Sequence, residues 1–359
     1  MLTIPHNKPS IGRKEIQAVA RVIKSGYIAQ GQEAKKFEDE FCKYMGAGPG
    51  HAIALSSGTA ALYVALISLE IKPNDEVIIP TYVCSALLNA IYLSKAKPVL
   101  VDINCDNLNI SLQETKKKIN PKTKAIIVPH IFGMPSNVNE FVKLGLPVIE
   151  DCAQAIGSKL NNKPVGTFGK AAVFSFYATK FLTTGYGGML FSKDKKIIKA
   201  ALDYREFDCR KNYRERFNFQ MSDIQAAIGR VQLKRINEFL KKRRKIGNEY
   251  YKILSPEIVW PQKNSKKGYN FYRFLIKVGN AKNLKKRLQN KGIKTIVPIE
   301  TYELLHRYLG QDKNEFPVSE KIAKTTLSLP IFPSLGNAEI KKIKSALLKY
   351  LKSNKKNGI

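Results

Sequence analysis

The chain has 359 residues, a length that suits two domains of about 100–200 residues each better than one small domain. Hydrophobic residues make up 44% of it and charged residues 25%, which is ordinary for a globular protein with a sizeable core. The net charge of +32 admits a class that binds polyanions. The basic residues are, however, spread along helical patterns and form no dense terminal arm. This favours a solvated, lysine-rich surface, with nucleic-acid binding as the alternative.

The first two-thirds of the chain alternates short apolar runs with helical patterns. The runs are mostly continuous, as in strands that are buried on both faces of a sheet. They predict strands at 51–55, 76–79, 98–102, 125–129, 147–150, 171–176 and 188–191. The helices predicted between them are 58–70, 84–95, 111–119 and 136–144. Such alternation indicates an α/β fold with a mainly parallel sheet and right-handed crossovers.

A long helical pattern at 222–254 leads away from this sheet. The patterns beyond it predict, in order, a strand, a helix, a strand and a closing helix at 269–278, 281–291, 293–297 and 337–353. We therefore predict a large domain at 1–244 and a smaller C-terminal α/β domain at 245–359. The basic run Lys241–Lys245 is predicted to be an exposed helix face.

The cellular location is predicted from what the sequence lacks. Its first ten residues have no charged start followed by an apolar run, as an export signal has. No apolar stretch reaches the roughly 18–20 residues that span a bilayer. The five cysteines are scattered and form no CxxC pair, which argues against a disulfide framework or a zinc site. We expect reduced thiols, a cytoplasmic location, no membrane association and no metal.

The segment SSGTAAL at 56–62 follows a buried strand and begins a helix. Backbone N–H groups at a helix N-terminus have no partner within the helix and form an anion site suited to phosphate. A plain N-cap, with Ser57 or Thr59 satisfying the first turn, is the alternative.

Two further segments follow strand ends. Asp151, in EDCAQ at 150–154, lies where ligands gather in a parallel sheet, and a carboxylate there can keep a pyridinium nitrogen protonated. A helix-capping aspartate is the alternative. Lys180 lies between an apolar strand and the glycine-rich turn 183–188, where backbone can approach closely. A lysine in such a place can form a Schiff base with an aldehyde, and a surface lysine is the alternative.

These three segments, in this order, resemble the DegT/StrS-type family of sugar aminotransferases. That family has the PLP-dependent transferase fold type I, the aspartate aminotransferase fold. The resemblance runs along nearly the whole chain. It includes GYIAQGQEAKKF (26–37), VGTFG (165–169), FNFQMSDIQAAIGRVQL (217–233) and LSLPIFPSL (327–335).

The resemblance implies pyridoxal 5′-phosphate as the cofactor, with Lys180 as the residue that forms the Schiff base. Asp151 would pair with the pyridine nitrogen, and Gln154 would lie near the 3′-oxygen of the ring.

The same resemblance implies how the phosphate is held. Gly58 and Thr59 would donate backbone N–H groups to it, joined by the hydroxyl of Ser175. Asn218 matches the residue that reaches the phosphate of the neighbouring subunit, which implies a homodimer with shared sites. A loop-capping asparagine is the alternative for Asn218.

Three positions depart from the family pattern. Cys84 stands where an aromatic residue often stacks on the cofactor ring, with Tyr82 nearby as a partial replacement. Tyr186 stands where glutamate is common, and Arg273 where histidine is frequent. We predict Arg273 and His306 as substrate contacts.

The implied function is transfer of an amino group from an amino acid, glutamate, to a keto sugar. The sugar is expected to be nucleotide-linked and to serve deoxyamino-sugar and cell-surface polysaccharide biosynthesis. A cyclitol or other non-nucleotide ketone is the alternative acceptor. A regulatory or nucleic-acid-binding protein on an inactive scaffold is the alternative from another class.

Overall fold

The computed structural model describes residues 3–260 and 268–355, which form an α/β protein with a seven-stranded sheet, a three-stranded sheet and a two-stranded sheet of β6 and β7. The strands in chain order are β1 (Ala52–Leu55), β2 (Glu76–Pro80), β3 (Lys97–Val101), β4 (Thr123–Pro129), β5 (Val148–Asp151), β6 (Lys159–Leu160), β7 (Lys163–Pro164), β8 (Ala171–Ser175), β9 (Gly188–Phe191), β10 (Val259–Trp260), β11 (Phe274–Lys277) and β12 (Thr326–Leu329). The seven strands predicted in the first two-thirds of the chain are all present.

The seven-stranded sheet has the strand order β1-β9-β8-β5-β4-β2-β3. Strands β8, β5, β4, β2 and β3 are parallel neighbours, whereas β9 runs antiparallel to both β1 and β8. The prediction of a mainly parallel α/β sheet is confirmed. The reversal at β9 has a simple cause: residues 176–187 join β8 to β9 without a helix, and parallel neighbours usually need a helical crossover.

The helices are α1 (Arg13–Ser25), α2 (Gln32–Tyr44), α3 (Gly58–Ser68), α4 (Ala86–Leu93), α5 (Leu112–Lys118), α6 (Val138–Val142), α7 (Lys195–Tyr204), α8 (Asp223–Lys234), α9 (Ile236–Tyr251), α10 (Ala281–Gln289), α11 (Leu305–Tyr308), α12 (Pro317–Thr325) and α13 (Asn337–Lys355). Helices α3 to α6 lie within the four helices predicted between the strands. The single long helix predicted at 222–254 is wrong in one respect: it is two helices that meet at Arg235, whose backbone leaves the helical region at φ −94° and ψ 0°.

The three-stranded sheet is antiparallel, in the order β10-β11-β12. The strand predicted at 269–278 shortens to β11, and the one predicted at 293–297 contributes only single bridges, from Ile293 to Ile4 and from Ile296 to Ser328. The predicted boundary between residues 244 and 245 falls within α9, and the division into domains at 1–244 and 245–359 stays a prediction.

Helix α9 carries a buried arginine within its basic run. Four residues of Lys241–Lys245 are exposed as predicted, but Arg243 is buried. Its Nη1 donates hydrogen bonds of 2.9–3.0 Å to the backbone oxygens of Phe271, Tyr272 and Ile331. The prediction was wrong at this position because the helical period places Arg243 on the same inward face as Leu240 and Gly247.

None of the helices in the part of the chain that the structure describes is long and apolar enough to cross a membrane.

Candidate active site

A cavity of about 320 Å³ opens at the carboxyl edge of the large sheet. Strands β1, β2, β4, β5 and β8 all end at this edge, because they run in the same direction. Ligands of parallel α/β sheets gather at such an edge. The cavity is lined by six of the residues predicted from the sequence: Gly58, Thr59, Asp151, Gln154, Ser175 and Lys180.

The N-terminus of α3 forms one end of the cavity. Ser57 is the N-cap, and its hydroxyl accepts a hydrogen bond from the Ala60 amide at 3.0 Å. The capping alternative therefore holds for Ser57. It leaves the amides of Gly58 and Thr59, in the first helical turn, without an intrahelical partner. A Cβ on Gly58 would lie 2.8 Å from the Ser175 Cβ, so the serine hydroxyl lies beside those amides and the group fits a phosphate.

Gly188 packs its backbone directly against this turn. A Cβ at Gly188 would overlap the Ser57 carbonyl group and lie 2.8 Å from the Gly58 nitrogen. We predict that Gly188→Ala displaces the turn, at a cost of about 1–3 kcal/mol, and weakens cofactor binding about 10- to 100-fold. A titration of cofactor absorbance measures this, with Gly48→Ala as the control because a Cβ at Gly48 meets nothing within 4 Å. Equal affinity in both variants would contradict the placement of the phosphate.

Asp151, the last residue of β5, places a buried carboxylate in the cavity. Its Oδ1 accepts a hydrogen bond from the Ala153 amide at 2.9 Å. Among the described residues no donor lies within hydrogen-bond distance of Oδ2. Burial raises the pKa of Asp151, and the charge of Lys180 only partly opposes this. A buried carboxylate with a free oxygen fits a protonated ring nitrogen, which supplies the missing charge and donor.

Glu150, directly before Asp151, is a buried residue that sequence reasoning did not single out. Its Oε1 accepts hydrogen bonds from the amides of Phe168 and Gly169, and its Oε2 from the Gly166 amide, all at 2.7 Å. His130 Nε2 also contacts Oε2 at 3.0 Å. Burial favours the neutral acid, but these hydrogen bonds lower the pKa of Glu150. Glu150 thus binds the loop 165–169 to β5 and holds the neighbouring Asp151 in position.

His130, Glu150 and Cys152 are the one set of side chains in the described residues whose spacing could suit a metal ion. The donor atoms of His130 and Glu150 already have partners. His130 Nδ1 accepts from the Ser136 amide at 3.0 Å, and both carboxylate oxygens of Glu150 accept backbone hydrogen bonds. Burial raises the pKa of Cys152 well above its usual value, so the thiol keeps its proton. The set is better explained as part of the support for Asp151.

Lys180 lies in the helix-free connection between β8 and β9. Its amide donates to the Tyr177 carbonyl oxygen at 2.8 Å, and its Nζ lies 5.8 Å from the centre of the Tyr272 ring. The Asn7 side chain donates to the Thr179 carbonyl oxygen at 2.8 Å and restrains the segment. Lys180 therefore points its amine into the cavity that also holds Asp151.

Gln154 has its side-chain oxygen engaged, since Oε1 accepts from the Phe132 amide at 2.7 Å. Among the described residues no acceptor is bonded to the side-chain nitrogen of Gln154, which is therefore available to the 3′-oxygen of the cofactor. Cys84 lines the cavity, as expected for a residue at the stacking position. Tyr82 does not line it. Its ring is buried and packs edge-to-face on Phe132 at 6.0 Å, so it does not replace the missing aromatic residue.

Three predicted site residues lie outside the cavity lining. Asn218 is exposed, and its Oδ1 accepts from the Gln220 amide at 3.2 Å, as a loop-capping asparagine does. Arg273 is partly buried beside the cavity, next to Tyr272.

His306 is the third, and its ring is fully buried. Nδ1 contacts Thr81 Oγ1 at 2.8 Å, Nε2 contacts Glu320 Oε1 at 3.1 Å, and the ring stacks on Phe316. Because both ring nitrogens are engaged, this environment argues against the predicted substrate contact.

Comparisons with known proteins show which family the chain belongs to. Residues 9–348 match the DegT/DnrJ/EryC1/StrS aminotransferase family. The chain is 33% identical to GDP-perosamine synthase of Escherichia coli O157:H7, over 95% of this chain and 96% of that protein. It is 32% identical to the dTDP-4-dehydro-2,3,6-trideoxy-D-glucose 4-aminotransferase of Saccharopolyspora spinosa, over 94% of each. The crystal structure of the aminotransferase TlmJ from Streptoalloteichus hindustanus superposes with a TM-score of 0.90 at 28% identity, over 98% of this chain and 100% of that one.

The fold and the cavity define a PLP-dependent transferase of fold type I. The chain belongs to the DegT/DnrJ/EryC1/StrS aminotransferase family. It is an aminotransferase, and its cofactor is pyridoxal 5′-phosphate.

Proposed function

We propose that this enzyme transfers an amino group from glutamate to a nucleotide-linked keto sugar, in deoxyamino-sugar and cell-surface polysaccharide biosynthesis. The observation that carries the proposal is the cavity in which Lys180 and Asp151 come together at the sheet edge. The two related enzymes named above supply the substrate class, since GDP and dTDP appear in their names. The net charge of +32 would steer a diphosphate towards the protein.

The residues of the cavity divide the chemistry between them. When bound, the cofactor supplies an electron sink for the carbon that gains or loses the amino group. The Asp151 carboxylate holds a proton on the ring nitrogen. Lys180 Nζ takes the proton from the α-carbon of the amino donor, and in the second half-reaction returns one to the sugar carbon. The amides of Gly58 and Thr59 and the Ser175 hydroxyl bind the phosphate.

The acceptor class is tested with protein loaded with pyridoxamine phosphate. We expect GDP- or dTDP-linked keto sugars to restore the yellow absorbance of the aldehyde form, because the amino group leaves the cofactor. An inositol-derived ketone and free keto sugars serve as the comparison. Recovery with the inositol-derived ketone alone would contradict the nucleotide-sugar proposal and support the cyclitol alternative.

We propose further that the active unit is a homodimer in which Asn218 completes the partner's phosphate site. Two observations support this. Asn218 is exposed and does not line the cavity of its own chain. Large apolar side chains at Ile23, Tyr27, Tyr213 and Phe217 are also exposed, as expected of a surface that a second copy covers.

Shared sites predict that two inactive variants restore each other. Lys180→Ala removes the catalytic amine, and Asn218→Ala removes the partner's contact. A heterodimer of the two retains one intact site, so co-expressed chains should regain about one quarter of the wild-type activity for random pairing. Steady-state rates of the purified mixture measure this. Activity no higher than the average of the two separate variants would contradict a shared site.

A cytoplasmic location and the two-domain division remain proposals. Cys42, Cys84, Cys105, Cys152 and Cys209 are all free, which supports a reducing compartment. The three-stranded sheet within residues 259–329 supports a separate C-terminal domain.

A further inference from the structure

Positive charge gathers around the buried ring of Tyr272, beside the cavity. Lys180 Nζ lies 5.8 Å and the Arg273 guanidinium carbon 5.3 Å from the centre of this ring. Arg243 is close enough to act on the same phenol. Burial favours the neutral phenol, yet the charges of Lys180, Arg273 and Arg243 lower the pKa of Tyr272. This region therefore has a positive potential that attracts an anion.

Arg273 lacks a carboxylate partner, unlike three other arginines that are buried or partly buried. Arg205, Arg230 and Arg235 each contact a glutamate oxygen at 2.7–2.8 Å. Within residues 3–260 and 268–355, no carboxylate oxygen lies within 4 Å of the Arg273 guanidinium. Its Nε is buried without a hydrogen-bond partner. Removing a guanidinium from water without giving it a carboxylate partner costs free energy. An anion bound beside it would offset that cost.

The neighbours of Arg273 hold it in place without neutralising it. His6 Nε2 lies 3.5 Å from Arg273 Nη1 and 2.9 Å from Ser328 Oγ. Burial and the nearby arginines lower the pKa of His6 well below its usual value, so the ring is neutral and can accept from the guanidinium. The ring of Phe132 lies 6.0 Å from the guanidinium carbon. The planar guanidinium of Arg273 is thus held between aromatic rings, and its remaining N–H groups are available to a ligand.

The position of Arg273 decides which anion it suits. The cofactor phosphate is already provided for at Gly58, Thr59 and Ser175, at the N-terminus of α3. Arg273 instead shares Tyr272 with the amine of Lys180, which acts on the α-carbon of the amino donor. The α-carboxylate is bonded directly to that carbon, and its two oxygens match the fork of a guanidinium.

We propose that Arg273 binds the α-carboxylate of the amino donor and so selects an α-amino acid in the first half-reaction. The inference rests on the proposed function, because it assumes that Lys180 acts on an amino acid and then on a keto sugar. It assigns Arg273 to one half-reaction only, since the keto sugar has no carboxylate at the reacting carbon.

The test measures the two half-reactions separately in the PLP-loaded and pyridoxamine-phosphate-loaded enzyme. For Arg273→Met, which keeps an unbranched apolar stem and removes the guanidinium, we expect kcat/KM for L-glutamate to fall about 30- to 100-fold. The rate with 4-aminobutanoate, which lacks the α-carboxylate, should change less than about 3-fold. The half-reaction with the nucleotide keto sugar should also stay within about 3-fold of wild type. Arg273→Lys should recover part of the loss.

The control is Arg244→Met, which removes one exposed positive charge from α9 and should leave both half-reactions unchanged. Equal losses for glutamate and 4-aminobutanoate, or an equal loss in the keto-sugar half-reaction, would overturn the role of Arg273. So would an Arg273→Met enzyme with wild-type rates throughout. If the wild-type enzyme itself accepted no amino acid, the proposed function would fail instead, and the two failures are thereby distinguishable.

Discussion

Lys180→Ala should lower the rate of transamination by about 10³- to 10⁵-fold, because it removes both the nucleophile that binds the cofactor covalently and the base that moves the proton. Lys180→Arg should be as inactive, since a guanidinium stays charged and forms no Schiff base. The measurement is single-turnover conversion of L-glutamate by each cofactor-loaded variant. Any cofactor that Lys180→Ala binds should be held noncovalently, so that washing removes it and borohydride does not attach it to the chain.

The matched control for this prediction is Lys170→Ala. Lys170 is exposed, directly before β8, and its replacement should leave the rate unchanged. A Lys180→Arg enzyme with more than a few per cent of wild-type activity would show that another amine serves as the base.

Asp151→Asn should change activity and stability in opposite directions. The amide cannot hold a positive charge on the ring nitrogen, so we expect the rate to fall about 10²- to 10⁴-fold. In the cofactor-free protein the same change should raise the free energy of unfolding by about 1 kcal/mol at pH 7. Asparagine keeps the hydrogen bond from the Ala153 amide and removes a buried charge.

The pH dependence of this stability change follows from the direction in which the pKa of Asp151 is shifted. Burial raises the pKa of Asp151 in the folded protein, so the unfolded chain ionises first as the pH rises. The carboxylate therefore destabilises the folded state above an ordinary aspartate pKa of about 3.9, and not below it. Urea unfolding of cofactor-free protein should show a gain for Asp151→Asn at pH 7 that vanishes near pH 4. A variant less stable than wild type at pH 7 would contradict this account of the carboxylate.

The sequence predicts the strands well, because strands buried on both faces appear as continuous apolar runs and strand ends mark the binding edge. Asp151 and Lys180 could be found this way, since Asp151 directly follows the run at 147–150 and Lys180 lies four residues after the run at 171–176. The residues that hold Asp151 in place could not be found from the sequence. Glu150 is held by residues 166–169 and by His130, and nothing in the spacing of these positions shows that they meet.

The burial of an individual arginine is harder to predict from the sequence than a strand is. Arg243 stands in a run of basic residues, and only the helical period distinguishes it from its four exposed neighbours. His306 is predicted as a substrate contact, but its ring contacts Thr81, which lies 225 positions earlier, and Glu320 of α12. The spacing of these residues in the sequence does not show that they meet. The role of Arg273 as a substrate contact stays a prediction, to which the structure adds the absence of a carboxylate partner among the described residues.

The central claim is that one particular lysine carries the cofactor. The direct measurement is borohydride reduction of the PLP-loaded wild-type enzyme, followed by proteolysis and mass spectrometry of the labelled peptide. We expect a single phosphopyridoxyl group on Lys180, in the peptide that follows β8. A stoichiometric label on any other lysine, with Lys180 unmodified, would contradict it.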